Sequence, residues 1–255
     1  MKKRIVIKLG TGVLSTPAGK SLDTDQFTRI TAEIAELEKE GHSCILVSSA
    51  AIAAGVRVLK LKQRPDDLSG KQACAAAGQP ELMRLYATSF KKHGLAVAQL
   101  LLTHGDIDSF MRRDNARNTL NCLLERGAIP IINENDSVAV EELRFGDNDR
   151  LSAEVSILAQ ADHLIILTST DGLQDSHGKR VGKVRDISEA FRFVRPDKGE
   201  ESVGGMKTKL EAVRKVAAAG ISAHILDGRK PRQIHAALHG KDVGTSFPAR
   251  HHIKP

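Results

Sequence analysis

Several short clusters in this sequence combine glycine, lysine, hydroxyl and acidic residues in ways that suit phosphate and small polar substrates. They are Lys8-Leu9-Gly10-Thr11-Gly12, Ser48-Ser49-Ala50-Ala51, Asn133-Glu134-Asn135-Asp136, Gly146-Asp147-Asn148-Asp149 and Gly204-Gly205-Met206-Lys207-Thr208-Lys209. Glycine beside a helix start lets backbone N–H groups and the helix dipole approach a phosphate, and lysine adds a mobile positive charge. Two lysine-and-glycine clusters suggest a polyphosphate held between them. The P-loop pattern G-x-x-x-x-G-K-[ST] and the dinucleotide pattern G-x-G-x-x-G are both absent. Each cluster also has a plain structural reading: Gly10-Thr11-Gly12 and Asn133–Asp136 as turns, Asp147 or Asn148 as a helix cap, Gly204-Gly205 as a stop between elements.

Those plain readings lose ground because the phosphate-like and acidic clusters follow predicted strands. Arg4–Leu9, Cys44–Ser48, Ala96–Leu102, Ile129–Asn133, His163–Thr168 and Ala223–Leu226 are short, nearly continuous apolar runs, the pattern of strands buried on both faces. Between them lie helical patterns. The first has Asp23 or Thr24 as its cap, places Phe27, Ile30, Ile34 and Leu37 on one face and stops at Gly41. Others cover about Ala51–Leu59, Pro80–His93, Phe110–Arg126, Leu151–Gln160 and Thr208–Ala219. Strand, helix, strand order predicts a mainly parallel sheet sandwiched between helices, with ligands beyond the carboxyl ends of the strands.

Composition narrows the partners. The 255 residues carry 41% hydrophobic and 27% charged side chains, a globular balance that excludes disordered and fibrous classes. Lys and Arg outnumber Asp and Glu by 38 to 31, which favours anionic partners without a basic run for nucleic acid or a membrane surface. Aromatics make up only 3%, too few for a base-stacking platform. Cys44, Cys74 and Cys122 form no C-x-x-C pair, so neither a disulfide framework nor a cysteine zinc site is indicated. With no apolar stretch long enough for a membrane span or signal peptide, a soluble cytoplasmic protein is expected. His235 and His239 stand four residues apart on a predicted helix, but the H-E-x-x-H glutamate is missing, so a solvated or packed face is favoured over metal.

The succession Lys8-Leu9-Gly10-Thr11, Val47–Gly55, Ile132–Asp136, Phe145–Asp149 with Leu151-Ser152-Ala153, and Gly204–Lys209 resembles the amino acid kinase family. Asn-Glu-Asn-Asp followed by Gly-Asp-Asn-Asp resembles its glutamate 5-kinase branch in particular. The resemblance implies a three-layer α/β/α sandwich formed by one amino acid kinase domain over residues 1–255, without the C-terminal RNA-binding-type domain of many relatives. It implies transfer of phosphate from ATP, with Mg²⁺, to the side-chain carboxylate of L-glutamate, giving L-glutamyl 5-phosphate for proline biosynthesis. It also implies feedback inhibition by proline and a homo-oligomer.

By the same resemblance, Lys8 and Lys209 are the phosphate-contacting lysines and Asp149 the carboxylate that organises them, the three forming the catalytic set. Gly10, Thr168, Ser169 and the run Val203, Gly204, Gly205, Met206, Lys207, Thr208 and Lys209 bind ATP together with Lys8. Ser49, Asp136 and Asn148 bind glutamate. Three positions depart from the family pattern: Ala50 and Ser169 replace a frequent Gly and Asp, and Val203 a common Thr. Segment 133–149 holds Glu134, Asp136, Glu141, Glu142, Asp147 and Asp149 against Arg144, an odd choice for a purely anionic ligand. An amino acid brings an ammonium for Asp136, whereas N-acetylglutamate has a blocked amine; kinases of N-acetylglutamate, aspartate or UMP are the alternatives within the family. A nucleic-acid-binding module and a catalytically silent sensor are the readings from other classes.

Overall fold

Apolar residues dominate the inner strands because helices cover both faces of the sheet. The computed structural model describes residues 2–16, 21–139, 148–194 and 205–249. Among them the strands are β1 (Arg4–Leu9), β2 (Ser43–Ser48), β3 (Ala96–Leu102), β4 (Ala128–Glu134), β5 (His163–Thr168), β6 (Ser222–Asp227) and β7 (Thr245–Phe247). Their spatial order is β3-β4-β2-β1-β5-β6-β7. Every pairing is parallel except β6 with β7.

Two-residue alternation along β1 decides which way its chemistry faces. Ile5, Ile7 and Leu9 pack with Phe27, Ile30, Ile34, Leu82, Tyr86 and Phe90 from helices Thr24–Lys39 and Leu68–Lys91. Val6 packs on the opposite face with Leu151, Val155, Leu210 and Val213 from helices Asp149–Leu158 and Met206–Ala218. Lys8 has the parity of Val6, so it is directed to the face carrying Asp149 and Lys209. Asp23 caps the first long helix by accepting from the N–H groups of Asp25 and Gln26, and Gly41 leaves it with φ +88°.

Two expectations need correction. The helix read as starting at Pro80 begins at Leu68 and carries Pro80 in its interior. Proline is best tolerated in a helix's first turn, yet tight packing holds the turns before Pro80 helical. A Cβ on Gly78 would lie 1.9 Å from Ala51 O, and one on Gly55 would lie 1.8 Å from Cys74 O, so these glycines let helix Ala51–Val58 approach as closely as it does. The other correction is β7, too short to leave a periodic signal, which adds antiparallel to the β6 edge.

Candidate active site

At the carboxyl ends of β1, β2, β4 and β5, two groups of polar side chains meet at one pair of consecutive residues, Asn148 and Asp149. Asp149 opens helix Asp149–Leu158 and is fully buried. Its Oδ1 lies 2.9 Å from Lys8 Nζ, its Oδ2 lies 3.1 Å from Lys209 Nζ, and Thr208 Oγ1 donates to Oδ2 at 2.8 Å. Lys8 is 1% exposed. An unpaired ammonium at such depth would be costly, so the carboxylate both neutralises and orients the lysines. Its place in a first helical turn adds a favourable interaction with the helix dipole.

Glycines border this lysine pair. Gly10 caps the single turn Thr11–Leu14 with φ −72°, and a Cβ there would meet nothing closer than Leu167 O at 3.5 Å and Lys8 Nζ at 3.6 Å. These are ordinary contact distances, so neither the backbone conformation nor the packing demands glycine there, unlike at Gly55 and Gly78. Helix Met206–Ala218 starts after Gly205 with no side-chain cap, which leaves its first-turn N–H groups to other acceptors. The β5 end adds Thr168 and Ser169; Ser169 Oγ would lie 3.7 Å from a Cβ on Gly12.

On the other side, Asn148 Nδ2 donates to Ser48 O and to Asn133 Oδ1, both at 2.7 Å, and lies 3.4 Å from Ser49 Oγ. Asn133 Nδ2 donates to Gln79 Oε1 at 2.9 Å, and Gln79 Nε2 to Gln99 Oε1 at 3.2 Å. Ser48 Oγ also hydrogen-bonds Tyr86 Oη at 2.8 Å, and burial pushes that phenol upward in pKa. This line of amides spans β2, β4, β3 and helix Leu68–Lys91. It leaves the side-chain oxygen of Asn148, Oδ1, buried and without a partner among the described residues.

Asp136 lies just beyond β4 and is 6% exposed. Its Oδ1 is also buried without a hydrogen-bond partner among the described residues. Burial raises its pKa to about 6, with Arg64 acting in the opposite sense. It opens on a cleft of about 250 Å³ lined by Gln79, Gln99, Glu134, Asn135 and Ser137 among others. Buried acceptors beside a cleft are suited to a ligand that carries donors.

The structure thus gathers Lys8, Gly10, Asp149, Gly205, Met206, Lys207, Thr208 and Lys209 at one end, with Thr168 and Ser169 bordering them, and Ser49, Asp136 and Asn148 at the other. Val203 and Gly204 lie outside the described residues, as do Glu141, Glu142, Arg144, Gly146 and Asp147. Sequence reasoning missed Gln79, Gln99 and Tyr86, which support the polar line from within apolar or alanine-rich segments. Nothing local signals a role for them.

The chain matches the amino acid kinase family over residues 3–227. It is 46% identical over 253 residues to the glutamate 5-kinase of Thermus thermophilus, an alignment covering 97% of this chain and 68% of that protein. To the glutamate 5-kinase of Anaeromyxobacter dehalogenans it is 44% identical over 261 residues, covering 98% and 68% respectively. Among solved structures, UMP kinase from Bacillus anthracis superposes with a TM-score of 0.65 at 16% identity, over 97% of this chain and 96% of that one. N-acetylglutamate synthase from Neisseria gonorrhoeae gives 0.66 at 15% identity, with 97% of this chain covered and 62% of that one. Identities this low speak for a shared fold alone.

Proposed function

Because this chain belongs to the amino acid kinase family, and within it to the glutamate 5-kinases, it phosphorylates the side-chain carboxylate of L-glutamate from ATP, and we propose that the two ends of its site divide that work. The observation that carries the division is the contrast between Asp149, held by two lysines, and Asp136, whose buried Oδ1 has no partner among the described residues.

The nucleophile is a carboxylate with an ordinary pKa near ~4.3, ionised at neutral pH, so the reaction needs no general base. Its difficulty is electrostatic, since an anion must approach a polyanion. Lys8 and Lys209, oriented by Asp149, and the N–H groups at the start of helix Met206–Ala218 offset charge on the transferring phosphoryl oxygens. Gly10 and the Thr168-Ser169 turn accommodate the nucleotide. Asp136 pairs with the substrate ammonium, which carries only donors and so also suits the side-chain Oδ1 of Asn148. Ser49 completes the glutamate contacts.

A divalent ion enters this proposal only as part of the substrate, MgATP. Both oxygens of Asp149 are taken by Lys8, Lys209 and Thr208, so the residues described at the phosphate end do not build a protein-held ion site, and nothing above is routed through one. The ion's oxygen ligands would come from the phosphates.

The same reading takes residues 1–255 as one kinase domain, supported by β7, which joins the sheet beyond the family match. It also takes the protein to be cytoplasmic and a homo-oligomer. No described helix is long and apolar enough to cross a membrane. Proline carries the same α-ammonium and α-carboxylate as glutamate, so it engages Asp136 and inhibits in a way that saturating glutamate relieves; inhibition unmoved by glutamate counts against this. The decisive assay traps acyl phosphate as hydroxamate from a panel of acids with MgATP. L-glutamate should give the largest yield, and a larger one from N-acetylglutamate overturns the assignment of Asp136.

A further inference from the structure

Far from the kinase site, at the amino-end side of the sheet, Glu40, His235 and His239 converge. Glu40 terminates helix Thr24–Lys39, while His235 lies in helix Gln233–Leu238 and His239 ends it. One ligand atom from each can be chosen so that all lie within 4.8 Å of one another. His235 Nε2 is 3.1 Å from Glu40 Oε1, and the imidazole rings stack with centroids 4.1 Å apart. A tetrahedral ion with bonds of ~2.0–2.1 Å separates its ligand atoms by about 3.3 Å. The first pair already has that spacing, and a small closure by His239 completes the set.

Two features make this more than a chance meeting of surface side chains. His239 Nδ1 is 2.9 Å from the carbonyl oxygen of His235, the outer bond that fixes a ligating imidazole's tautomer and turns the lone pair of Nε2 outward. The short helix is also tied to its partner: Glu33 Oε1 accepts from the His235 N–H at 2.9 Å, and Arg232 Nη1 lies 2.7 Å from Glu36 Oε2. The ligands are therefore presented from two helices already held together.

We infer that Glu40, His235 and His239 bind a divalent transition-metal ion, Zn²⁺ foremost, which clamps helix Gln233–Leu238 to helix Thr24–Lys39. Two imidazoles and one carboxylate form a common zinc ligand set and leave an open position for water. On binding, the ion replaces the hydrogen bond between His235 Nε2 and Glu40, with His235 carrying its ring proton on Nδ1 instead. The role is structural, since the ligands touch nothing in the kinase site.

Zinc chloride titrated into the metal-free protein at pH 7.5, in competition with a chromophoric chelator, should reveal one equivalent bound in the micromolar range. Excess zinc should raise the Tm by a few degrees. The pair His235→Ala and His239→Ala, and separately the gentler Glu40→Gln, should weaken that equivalent about tenfold or more and remove the Tm rise, with the metal-free circular dichroism spectrum unchanged. Replacing His251 and His252 should leave it intact. Zinc bound equally by wild type and the His235/His239 variant, or no binding tighter than that of the variants, overturns the inference. If the double variant does not fold, the exposed Glu40→Gln decides alone.

Discussion

The two ends of the active site hold their buried charges in opposite states. At the phosphate end, Asp149 has a lysine on each oxygen and a threonine hydroxyl as well. At the amino-acid end, Asp136 Oδ1 and Asn148 Oδ1 are buried without partners among the described residues. The first end is assembled before substrate arrives, as electrostatic stabilisation of a transition state requires. The second is complete only when a donor-rich ligand enters, so it contributes to binding and costs the free protein stability. Consecutive residues, Asn148 and Asp149, serve the two ends, which couples a substrate pocket to a charge cradle through one helix start.

The most disruptive test removes the central charge. Asp149→Asn leaves Lys8 and Lys209 buried without their shared counterion, and breaking such a pair costs about 3–5 kcal/mol. Urea denaturation should show that loss, and kcat should fall by roughly 10²–10³ or more. Adding Lys8→Met should return part of the stability and none of the activity. Additive stabilities for the two substitutions would mean that the carboxylate does not neutralise Lys8.

A smaller effect separates chemistry from binding. Lys209→Met should lower kcat by about 10²–10³ with the glutamate KM within a few-fold. Asp136→Ala should instead raise that KM roughly 10- to 150-fold, the equivalent of ~1.5–3 kcal/mol, with a lesser change in kcat. Steady-state kinetics in which the two profiles exchange would erase the distinction between the ends.

Acid titration sharpens it. Burial lifts Asp136 to about 6 from its ordinary value of 3.8. Protonation removes the partner of the substrate ammonium, so kcat/KM for glutamate should fall as pH drops through about 6, and Asp136→Asn should lose that inflection. The stability sign is the reverse. A raised folded pKa contributes stability below 3.8 that is lost as pH rises through about 6. Ligand-free Asp136→Asn should therefore be more stable than wild type at pH 7, by an amount on the order of 1–3 kcal/mol, and no more stable at pH 3.5. Equal midpoints at both pH values would show that the buried carboxylate carries no cost.

The mildest change concerns the turn between the two ends. Ala50 precedes helix Ala51–Val58 with φ +82°, a left-handed conformation that costs an alanine about 1–2 kcal/mol relative to glycine. Ala50→Gly should recover about 1 kcal/mol, less the entropy that glycine loses on folding. A lower denaturation midpoint would show that its methyl group contributes packing that outweighs the strain.

Much of this fold was legible in the chain because parallel strands buried on both faces must be short, continuous apolar runs. Arg4–Leu9 and His163–Thr168 coincide with the expected segments and are buried, whereas Ala96–Leu102 coincides in extent but lies at the sheet edge, where only Leu102 is buried. Candidate ligand residues were legible for a related reason: glycine, lysine and acidic side chains directly after such runs fall at the strand ends, where ligands bind in parallel sheets. Long-range partners left no such trace. Alternation along β1 could place Lys8 on a face, but only packing determined that Asp149 and Lys209 meet it there. Pro80 looked like a helix start until Gly55 and Gly78 brought two helices together, since their close approach depends on both chains of contact. Gln79 joined Asn133 across 54 positions, and His235 found Glu40 across 195. Periodicity and propensity are local properties of a chain, whereas a buried hydrogen bond or a set of metal ligands depends on which distant side chains the packed core brings within reach.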